Sequence, residues 1–230
     1  MQPEITYFVN MPLKKLINKS VPGLSPEDDC QKAAAVMNDF KVSHLAVVAP
    51  ESRLYLGLAS EERLKNEPPE KKIAELGSLP MLCIGAGGHL FEVLDIVSSR
   101  RISLLPVVDG DGKYLGAVTY RDIVENTAEA VSASDKGGIL EIETDAQNFS
   151  PATITGISEN NSMKVMSLLS GKNSGEKVRA IIKLNGQDTS GVIQGLERRG
   201  YRVKNPHSGA AKYTDLLEER YGALMSYMNV

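Results

Sequence analysis

The chain has little of what marks several large protein classes. Among its 230 residues there are two cysteines, no tryptophan, and aromatic side chains make up only 5%. Cys30 and Cys83 form no C-x-x-C pair, which excludes a disulfide framework and fits a reducing compartment. No apolar run approaches the roughly 20 residues of a membrane span, and the N-terminus lacks the basic-then-apolar layout of a signal peptide. We therefore expect a cytoplasmic protein that does not enter a membrane.

A strong charge imbalance and the familiar catalytic motifs are also missing. The net charge of −3 argues against an extended nucleic-acid footprint. His44, His89 and His207 lie far apart, and none has a carboxylate or cysteine at metal-ligand spacing. There is no G-x-S-x-G elbow, Walker loop or H-E-x-x-H pair. The sequence therefore predicts no catalytic residue, no metal site, no required cofactor and no nucleic-acid partner.

What the chain does contain is an internal repeat. Residues 41–48 align with residues 101–108 at an offset of 60, and residues 55–57 align with residues 114–116 at an offset of 59. The one-residue difference falls in the turn between two strands, where length varies most easily. In front of each copy, apolar residues follow helical spacing: Cys30, Ala33, Ala34 and Met37, then Leu90, Val93, Leu94 and Val97. Each copy is predicted to be helix, strand, strand, helix, and two copies would share one core with a cleft between them.

The second copy carries the residues that could bind a ligand. Residues 102–108 form an aliphatic run, and residues 109–112 (Asp-Gly-Asp-Gly) indicate a hairpin turn. Thr119 then stands where an N-cap would open a helix, with Asp122 one turn in. Free N–H groups at a helix start favour an anion, and such a carboxylate can accept hydrogen bonds from ribose hydroxyls. From spacing alone, an ordinary cap with a first-turn acid is the competing interpretation.

The repeat and these residues together carry a family resemblance. Residues 116–123 match the signature Gly-h-h-Thr-x-x-Asp-h, where h is apolar, and residues 102–109 resemble the strand pattern h-x-x-h-Pro-Val-Val-Asp. Residues 13–130 therefore resemble a tandem of CBS domains, also called a Bateman module. The resemblance implies a cleft for an adenosyl ligand such as AMP, ADP, ATP or S-adenosylmethionine.

The resemblance also implies ligand contacts. Thr119 and Asp122 would hold phosphate and ribose, and Ile102 and Pro106 would lie beside the adenine. Arg101 and Arg121 flank this set and are predicted phosphate contacts, with a solvated basic face as the alternative.

The first copy departs from the signature at one position. Ser60 keeps the hydroxyl, but Arg63 replaces the acid that corresponds to Asp122. The ribose acceptor is then lost, so a second site at Ser60 and Arg63 is doubtful. Arg63 is left either to meet a phosphate or to lie on a solvated helix face. The sequence predicts at most one well-formed nucleotide site.

A second domain is predicted beyond a small, polar linker. Its pattern of strand, helix, strand, strand, helix, strand is ferredoxin-like and resembles an ACT domain. The combination of both parts is similar to the acetoin-utilisation regulatory proteins. Residues 145–150 lack the glycine that many ACT domains carry at the first strand-to-helix turn. A dimerising ACT-like fold is the expectation, and amino-acid sensing through this domain is the alternative.

The fold class predicted is α/β (α+β), with six segments. They are an N-terminal arm (1–20) that packs on the first repeat, CBS repeat 1 (21–72), CBS repeat 2 (73–131), a linker (132–137), the ACT-like domain (138–205) and a C-terminal amphipathic helix (206–230). Within the last segment, residues 212–228 place apolar side chains at helical spacing. That stripe needs a cover, from its own domain or, as we expect, from another chain.

These observations predict a non-catalytic regulatory protein. It would bind an adenosyl ligand, form a homodimer and relay occupancy to a regulated protein that the sequence does not name. The alternative is an oligomerisation or interaction scaffold whose cleft binds no nucleotide.

Overall fold

The computed structural model describes residues 13–172 and 176–208. The chain divides into two units, residues 1–127 and 128–230, each treated on its own below. Most of the predicted N-terminal arm and the amphipathic stretch 212–228 lie outside the described residues. None of the helices in the described part of the chain is both long and apolar enough to cross a membrane.

The first unit contains the two predicted copies. Its elements are α1 (Cys30–Phe40), β1 (His44–Val48), β2 (Tyr55–Ser60), α2 (Glu61–Leu64), β3 (Ile84–Gly85), α3 (Leu90–Arg100), β4 (Leu104–Val108), β5 (Tyr114–Thr119) and α4 (Tyr120–Ala130), with short 3-10 helices at Leu13–Lys15 and Ile73–Leu76. Strands β1 and β2 form one antiparallel hairpin, and β4 and β5 form the other. Both hairpins have a register irregularity at the same place, before Val48 and before Val108. The repeat is therefore present in the backbone as well as in the sequence.

Helix ends follow the local sequence. Helix α1 begins after Asp29, whose side chain accepts from the Lys32 N–H, and it ends at Lys41 in the left-handed conformation. Helix α3 begins after His89, which forms a reciprocal capping box with Glu92. The place of His89 at the start of an apolar helical stripe predicts either a surface cap or a phosphate contact, and the structure has it as the cap of α3.

Both copies contribute to one hydrophobic core. Leu45 and its counterpart Leu105 are fully buried, as are Ala33 and Val93 in the two preceding helices. Ala34 was predicted on the buried face of α1 but is exposed. An alanine tolerates that position because its single methyl group loses little by facing water.

Each hairpin is completed by the segment that precedes the other copy. The Asn18 N–H donates to the Ala117 carbonyl (2.8 Å), and the Ala117 N–H donates back to Asn18 (3.1 Å). In the first copy the Leu58 N–H donates to the Pro80 carbonyl (2.9 Å). The expected packing of the N-terminal segment on the first repeat is therefore wrong for Asn18, which bonds to β5 of the second.

Two elements are shorter than the sequence predicts. The apolar run over residues 79–84 predicts a strand in front of α3, but the strand comprises only Ile84–Gly85, and the Pro80 carbonyl instead accepts from Leu58 of the first copy. The helix expected to close the first copy ends at Leu64, since the ring of Pro68 would clash with that residue's carbonyl.

The second unit is a four-stranded sheet with two helices. Its elements are β6 (Gly138–Asp145), α5 (Pro151–Asn160), β7 (Val165–Lys172), β8 (Lys177–Leu184), α6 (Ser190–Arg198) and β9 (Arg202–Ser208), with a 3-10 turn at Ala146–Asn148. The predicted order of strands and helices is present. The sheet order is β7-β8-β6-β9, with every neighbouring pair antiparallel. Ile154 and Leu196 of the helices pack with Leu140 and Ile182 of the sheet, so both helices cover one face. The C-terminal helix predicted from residue 206 is wrong at its start, because residues 206–208 belong to β9.

Candidate functional site

The start of α4 brings together the hydroxyl and carboxylate that the sequence singled out. Thr119 is the last residue of β5, is only 7% exposed and lies opposite Leu104 in the hairpin. The Asp122 Oδ2 accepts hydrogen bonds from the Thr119 N–H (2.8 Å) and hydroxyl (2.7 Å). The Thr119 Oγ1 in turn accepts from the Asp122 N–H (3.3 Å). These bonds fix both side chains against the helix start.

The same geometry leaves one carboxylate oxygen available. Among the described residues, every hydrogen bond to the Asp122 carboxylate ends on Oδ2. Asp122 is partly exposed. An oxygen held this way has unused lone pairs on a carboxylate whose position is already fixed, which suits the acceptance of hydroxyl donors from a ligand.

Ile102 and Pro106 lie in the core beside this helix start. Pro106 is paired with Ala117 in the hairpin, one alternation along the strand from the Leu104–Thr119 pair. Pro106 and Thr119 therefore share a face of the sheet. Both Ile102 and Pro106 are buried, and the strand register places Pro106 on the same face as Thr119.

Arg101 and Arg121 lie at the periphery. Arg101 is exposed and ends α3 in the left-handed conformation, with φ of 53°. Arg121 has a side chain that is 85% exposed, and its Nε donates to the Glu125 carboxylate at 2.7 Å. That hydrogen bond and ion pair raise the pKa of Arg121. Among the described hydrogen bonds, neither arginine contacts Thr119 or Asp122.

The first copy uses the equivalent helix start differently. Ser60 caps α2 and accepts from the Arg63 N–H (3.4 Å). The Arg63 guanidinium donates to the Ser78 carbonyl through Nη1 (2.8 Å) and to the Leu76 carbonyl through Nη2. The Arg63 guanidinium therefore bonds to the segment that connects the two copies, and the prediction that it lies on a solvated helix face is wrong.

The two copies meet at a polar junction that the sequence analysis missed. The Ser103 N–H donates to the His44 Nδ1 (3.2 Å), and the Ser43 N–H donates to the Ser103 hydroxyl (2.8 Å). Burial lowers the pKa of His44, which keeps the ring in the neutral form that can accept from Ser103. The one signal in the sequence was that Ser43 and Ser103 occupy equivalent positions in the repeat.

Two cavities open on the first-copy side of this junction. One of about 370 Å³ is lined by Met37, Val42, Ser43, Glu61 and Ser103 among others. A second of about 350 Å³ is lined by Ser43, His44, Ser60, Glu61 and Lys65 among others. Thr119 and Asp122 line neither cavity. In the described part of the chain, no three His, Cys, Asp or Glu side chains converge to hold a metal ion.

In the second unit, the turn after β6 is filled by a side chain. The Tyr201 hydroxyl donates to the Asn148 carbonyl (2.9 Å) and accepts from the Ser150 N–H (3.1 Å). The N–H of Ser150 is thus already bonded within the chain. This leaves the turn over residues 145–150 braced from inside.

Comparison with known proteins identifies one family and several relatives. Residues 73–129 match the model of the CBS domain. The chain is 29% identical over 127 residues to inosine-5'-monophosphate dehydrogenase of Methanocaldococcus jannaschii, which is 55% of this chain and 25% of the relative. It is 31% identical over 115 residues to the same enzyme of Nitrosopumilus maritimus, covering 50% of this chain and 24% of the relative. The chain thus spans about a quarter of the length of these relatives.

Solved structures match about half of this chain. A CBS domain pair/ACT domain protein from Thermotoga maritima has a TM-score of 0.48 and 21% identity, covering 53% of this chain and 99% of that chain. CBSX2 in complex with AMP has a TM-score of 0.46 and 18% identity, covering 52% of this chain and 98% of that chain. The family match over the second copy and the matching backbone of the first support a tandem CBS pair.

Proposed function

We propose that this chain is a non-catalytic, cytoplasmic regulatory protein. Its CBS pair binds an adenosyl ligand (AMP, ADP, ATP or S-adenosylmethionine), and a change in occupancy is relayed to a partner protein. CBS domains are commonly regulatory and nucleotide-binding, and residues 73–129 match that family. The observation that carries the proposal is the Thr119–Asp122 arrangement, which fixes a carboxylate and leaves its Oδ1 unused.

The proposed contacts follow from the hydrogen-bond acceptors and donors that each group does not use within the chain. The Asp122 Oδ1 accepts from the two ribose hydroxyls, and Ile102 and Pro106 provide the apolar side of the site. The Tyr120 and Asp122 N–H groups are already bonded within the chain, so the helix start supplies few free donors to a phosphate. Phosphate binding would therefore draw on Arg101 and Arg121, with Arg121 exchanging Glu125 for the ligand.

The relay requires a ligand that prefers one arrangement of the protein over another. We propose that residues 138–205 form an ACT-type, ferredoxin-like domain that pairs two chains into a homodimer, with 132–137 as the linker. The Tyr201 hydroxyl occupies the turn where amino-acid sensing would be expected, so we favour a dimerising role over amino-acid binding.

A second candidate is a scaffold whose cleft takes no nucleotide. It is favoured by one observation, that the two cavities of about 370 and 350 Å³ are lined by neither Thr119 nor Asp122. The two candidates differ in a direct measurement of adenosyl-ligand binding.

The test is a thermal-shift panel with AMP, ADP, ATP and S-adenosylmethionine. At ten times its dissociation constant a ligand adds about 1.4 kcal/mol, or roughly 3–6 °C for a chain of this size. Asp122→Asn is the informative variant, because the amide oxygen still accepts from Thr119 while the free oxygen acceptor becomes a donor. We expect it to weaken binding by about 10- to 150-fold, the loss of one charged hydrogen bond.

Glu129→Gln, at an exposed position of the same helix, is the matched control, and it should bind as the parent does. No shift with any adenosyl compound would overturn the proposal in favour of the scaffold. Undiminished binding by Asp122→Asn would move the site away from Thr119 and Asp122.

A further inference from the structure

One face of the sheet in the second unit has no helix packed across it in the described part of the chain. The Val131 carbonyl, just after α4, reaches this face and accepts from the Ser167 hydroxyl (3.0 Å). Helices α5 and α6 pack on the face that carries Leu140 and Ile182. The opposite face carries a strip of Ile139, Leu169 and Ile181, of which Leu169 is 49% and Ile181 45% exposed. The ladder pairs Leu169 with Ile181, and Ile139 lies on the next strand. We call these three residues the apolar strip.

Charged side chains border the apolar strip. Glu143 is buried on this face, where it accepts from Lys204 (2.9 Å) and Arg179 (3.0 Å) and lies 3.9 Å from Lys177. The hydrogen bonds of Lys204 and then Arg179 lower the pKa of Glu143 to about 2, so the carboxylate stays ionised. Strand alternation assigns the following charges to this face: Lys177, Arg179, Lys183, Arg202 and Lys204 against Glu141, Glu143 and Asp145. Cations therefore exceed carboxylates around the strip.

The charge decides against a second copy of the same face. Two such faces, each with five cations against three carboxylates, would bring two net positive surfaces together, which disfavours association. The occupant that fits is an amphipathic segment with a surplus of acid. Residues 209–230 contain three carboxylates and two cations, and their apolar residues recur at helical spacing: Tyr213, Leu216, Leu217, Tyr221, Leu224, Met225 and Met228.

The path of the chain makes this segment available to the strip. Strand β9 ends at Ser208, which pairs with Gly138, the residue before Ile139. From there, residues 209–211 reach up to about 10 Å when extended. A helix of residues 212–228 would be about 25 Å long, whereas four strands span about 14 Å between the outer two. The segment is thus long enough to cross the whole face.

We propose that residues 212–228 cover the apolar strip of Ile139, Leu169 and Ile181 on the sheet of their own chain. The apolar stripe of the segment meets the strip, and its carboxylates lie toward the cationic border. The proposal differs from the expectation that another chain covers this stripe.

Hydrogen exchange of the full chain, read by mass spectrometry, tests this. The amides of residues 212–228 should exchange at least about tenfold more slowly than in an unstructured peptide. Ile181→Glu, which places a carboxylate in the strip, should restore fast exchange there while the amides of β6 and β8 stay protected. Phe91→Glu is the control, because Phe91 is 73% exposed in the other unit, and it should change nothing in residues 212–228.

If Ile181→Glu also lowers protection in β8, Leu169→Glu on the outer strand β7 replaces it as the informative variant. Fast exchange of residues 212–228 in the parent would overturn the proposal. So would protection that Ile181→Glu and Leu169→Glu leave intact. Protection that disappears on dilution of the parent would assign the cover to a second chain, and this too contradicts it.

Discussion

The two copies of the repeat share a backbone and differ in the contacts made at the start of the helix that follows each hairpin. In both copies, the side chain three positions after the capping hydroxyl bonds to backbone groups. That residue is Asp122 in the second copy and Arg63 in the first. Asp122 accepts from the Thr119 N–H beside it, whereas Arg63 donates to the carbonyls of Leu76 and Ser78. Left-handed or otherwise positive φ angles recur at equivalent positions: Lys41 and Arg101, Arg53 and Gly112, Gly57 and Gly116.

On the proposed function, the difference separates a binding role from a structural one. A carboxylate bonded through one oxygen has another oxygen with which it could accept from a ligand. A guanidinium bonded to two carbonyls of the connecting segment has become part of the fold. The comparison therefore predicts that changes to the shared backbone affect both copies alike, whereas changes at the helix starts do not.

The largest expected effect comes from substitutions that strain the backbone conformation shared by the two copies. Gly57 and Gly116 have φ of 140° and 147°, and an added Cβ would lie 2.6 Å from Leu79 in the first copy and 2.5 Å from Ile17 in the second. Each substitution to alanine should lower the free energy of unfolding of this unit by roughly 2–4 kcal/mol, from backbone strain and crowding. Denaturant titration measures it. Gly110→Ala, with no atom within 4 Å of the added Cβ, is the control, and an equal loss there would contradict the account.

A smaller effect sharpens the contrast at the helix starts. Replacing Arg63 with methionine removes two charged hydrogen bonds to carbonyls and should lower the free energy of unfolding by about 1.5–3 kcal/mol. The same variant should leave adenosyl-ligand affinity unchanged, in contrast to Asp122→Asn. Lys65→Met, at an exposed position on the same segment, is the control for stability. A loss of ligand affinity in Arg63→Met would show that the first copy also binds.

The next difference, smaller in its effect on stability, is the pH response of the junction between His44 and Ser103. His44 can take up a proton, whereas its counterpart in the second copy, Leu104, cannot. The pKa of His44 is lowered by burial, so the unfolded chain takes up the proton first as pH falls. Stability from this group is complete above about pH 6.5, the ordinary histidine value, and declines as pH falls from there toward the lowered pKa.

His44→Asn keeps an acceptor for the Ser103 N–H without a titrating ring. Thermal melts between pH 5 and pH 7.5 (a window set around the ordinary histidine pKa of about 6.5) should show a shallower pH dependence in this variant. An unchanged slope would mean that His44 does not titrate differently in the folded state.

The smallest expected effect concerns Arg121, which has Glu62 as its counterpart. Because the side chain is 85% exposed, a phosphate contact through it should contribute only about 0.2–1 kcal/mol. Arg121→Gln should therefore weaken ATP binding by about 1.5- to 5-fold and leave adenosine binding unchanged. Calorimetric titration with both ligands measures the difference. An equal loss for adenosine would mean that the variant perturbs the site and not a phosphate contact.

Local features were predictable from the sequence, and contacts between distant segments were not. The hairpins, the cap at Thr119 and the order of elements in the second unit follow from turn residues, spacing and alternation. The exchange of segments between copies, with Asn18 on β5 and Pro80 on β2, depends on non-local pairing that no short pattern encodes. Arg63 escaped prediction for the same reason, because its partners are carbonyls in an irregular segment more than ten residues away.

The contacts of the candidate site also divide into short-range ones that the sequence predicts and long-range ones that it does not. The short spacing of Thr119 and Asp122 predicts their contact, and the structure has it. The junction of His44 with Ser103 joins residues 59 apart, and only their places in the repeat pointed to it. The ligand contacts themselves remain predictions.

The most direct test of the central claim is the number of adenosyl-ligand sites per chain. Isothermal titration of the parent with the adenosyl compound that gives the largest thermal shift should find one site, lost or weakened at least about tenfold in Asp122→Asn and retained in Ser60→Ala. Two equivalent sites per chain, or one site that survives Asp122→Asn and disappears in Ser60→Ala, would contradict the account.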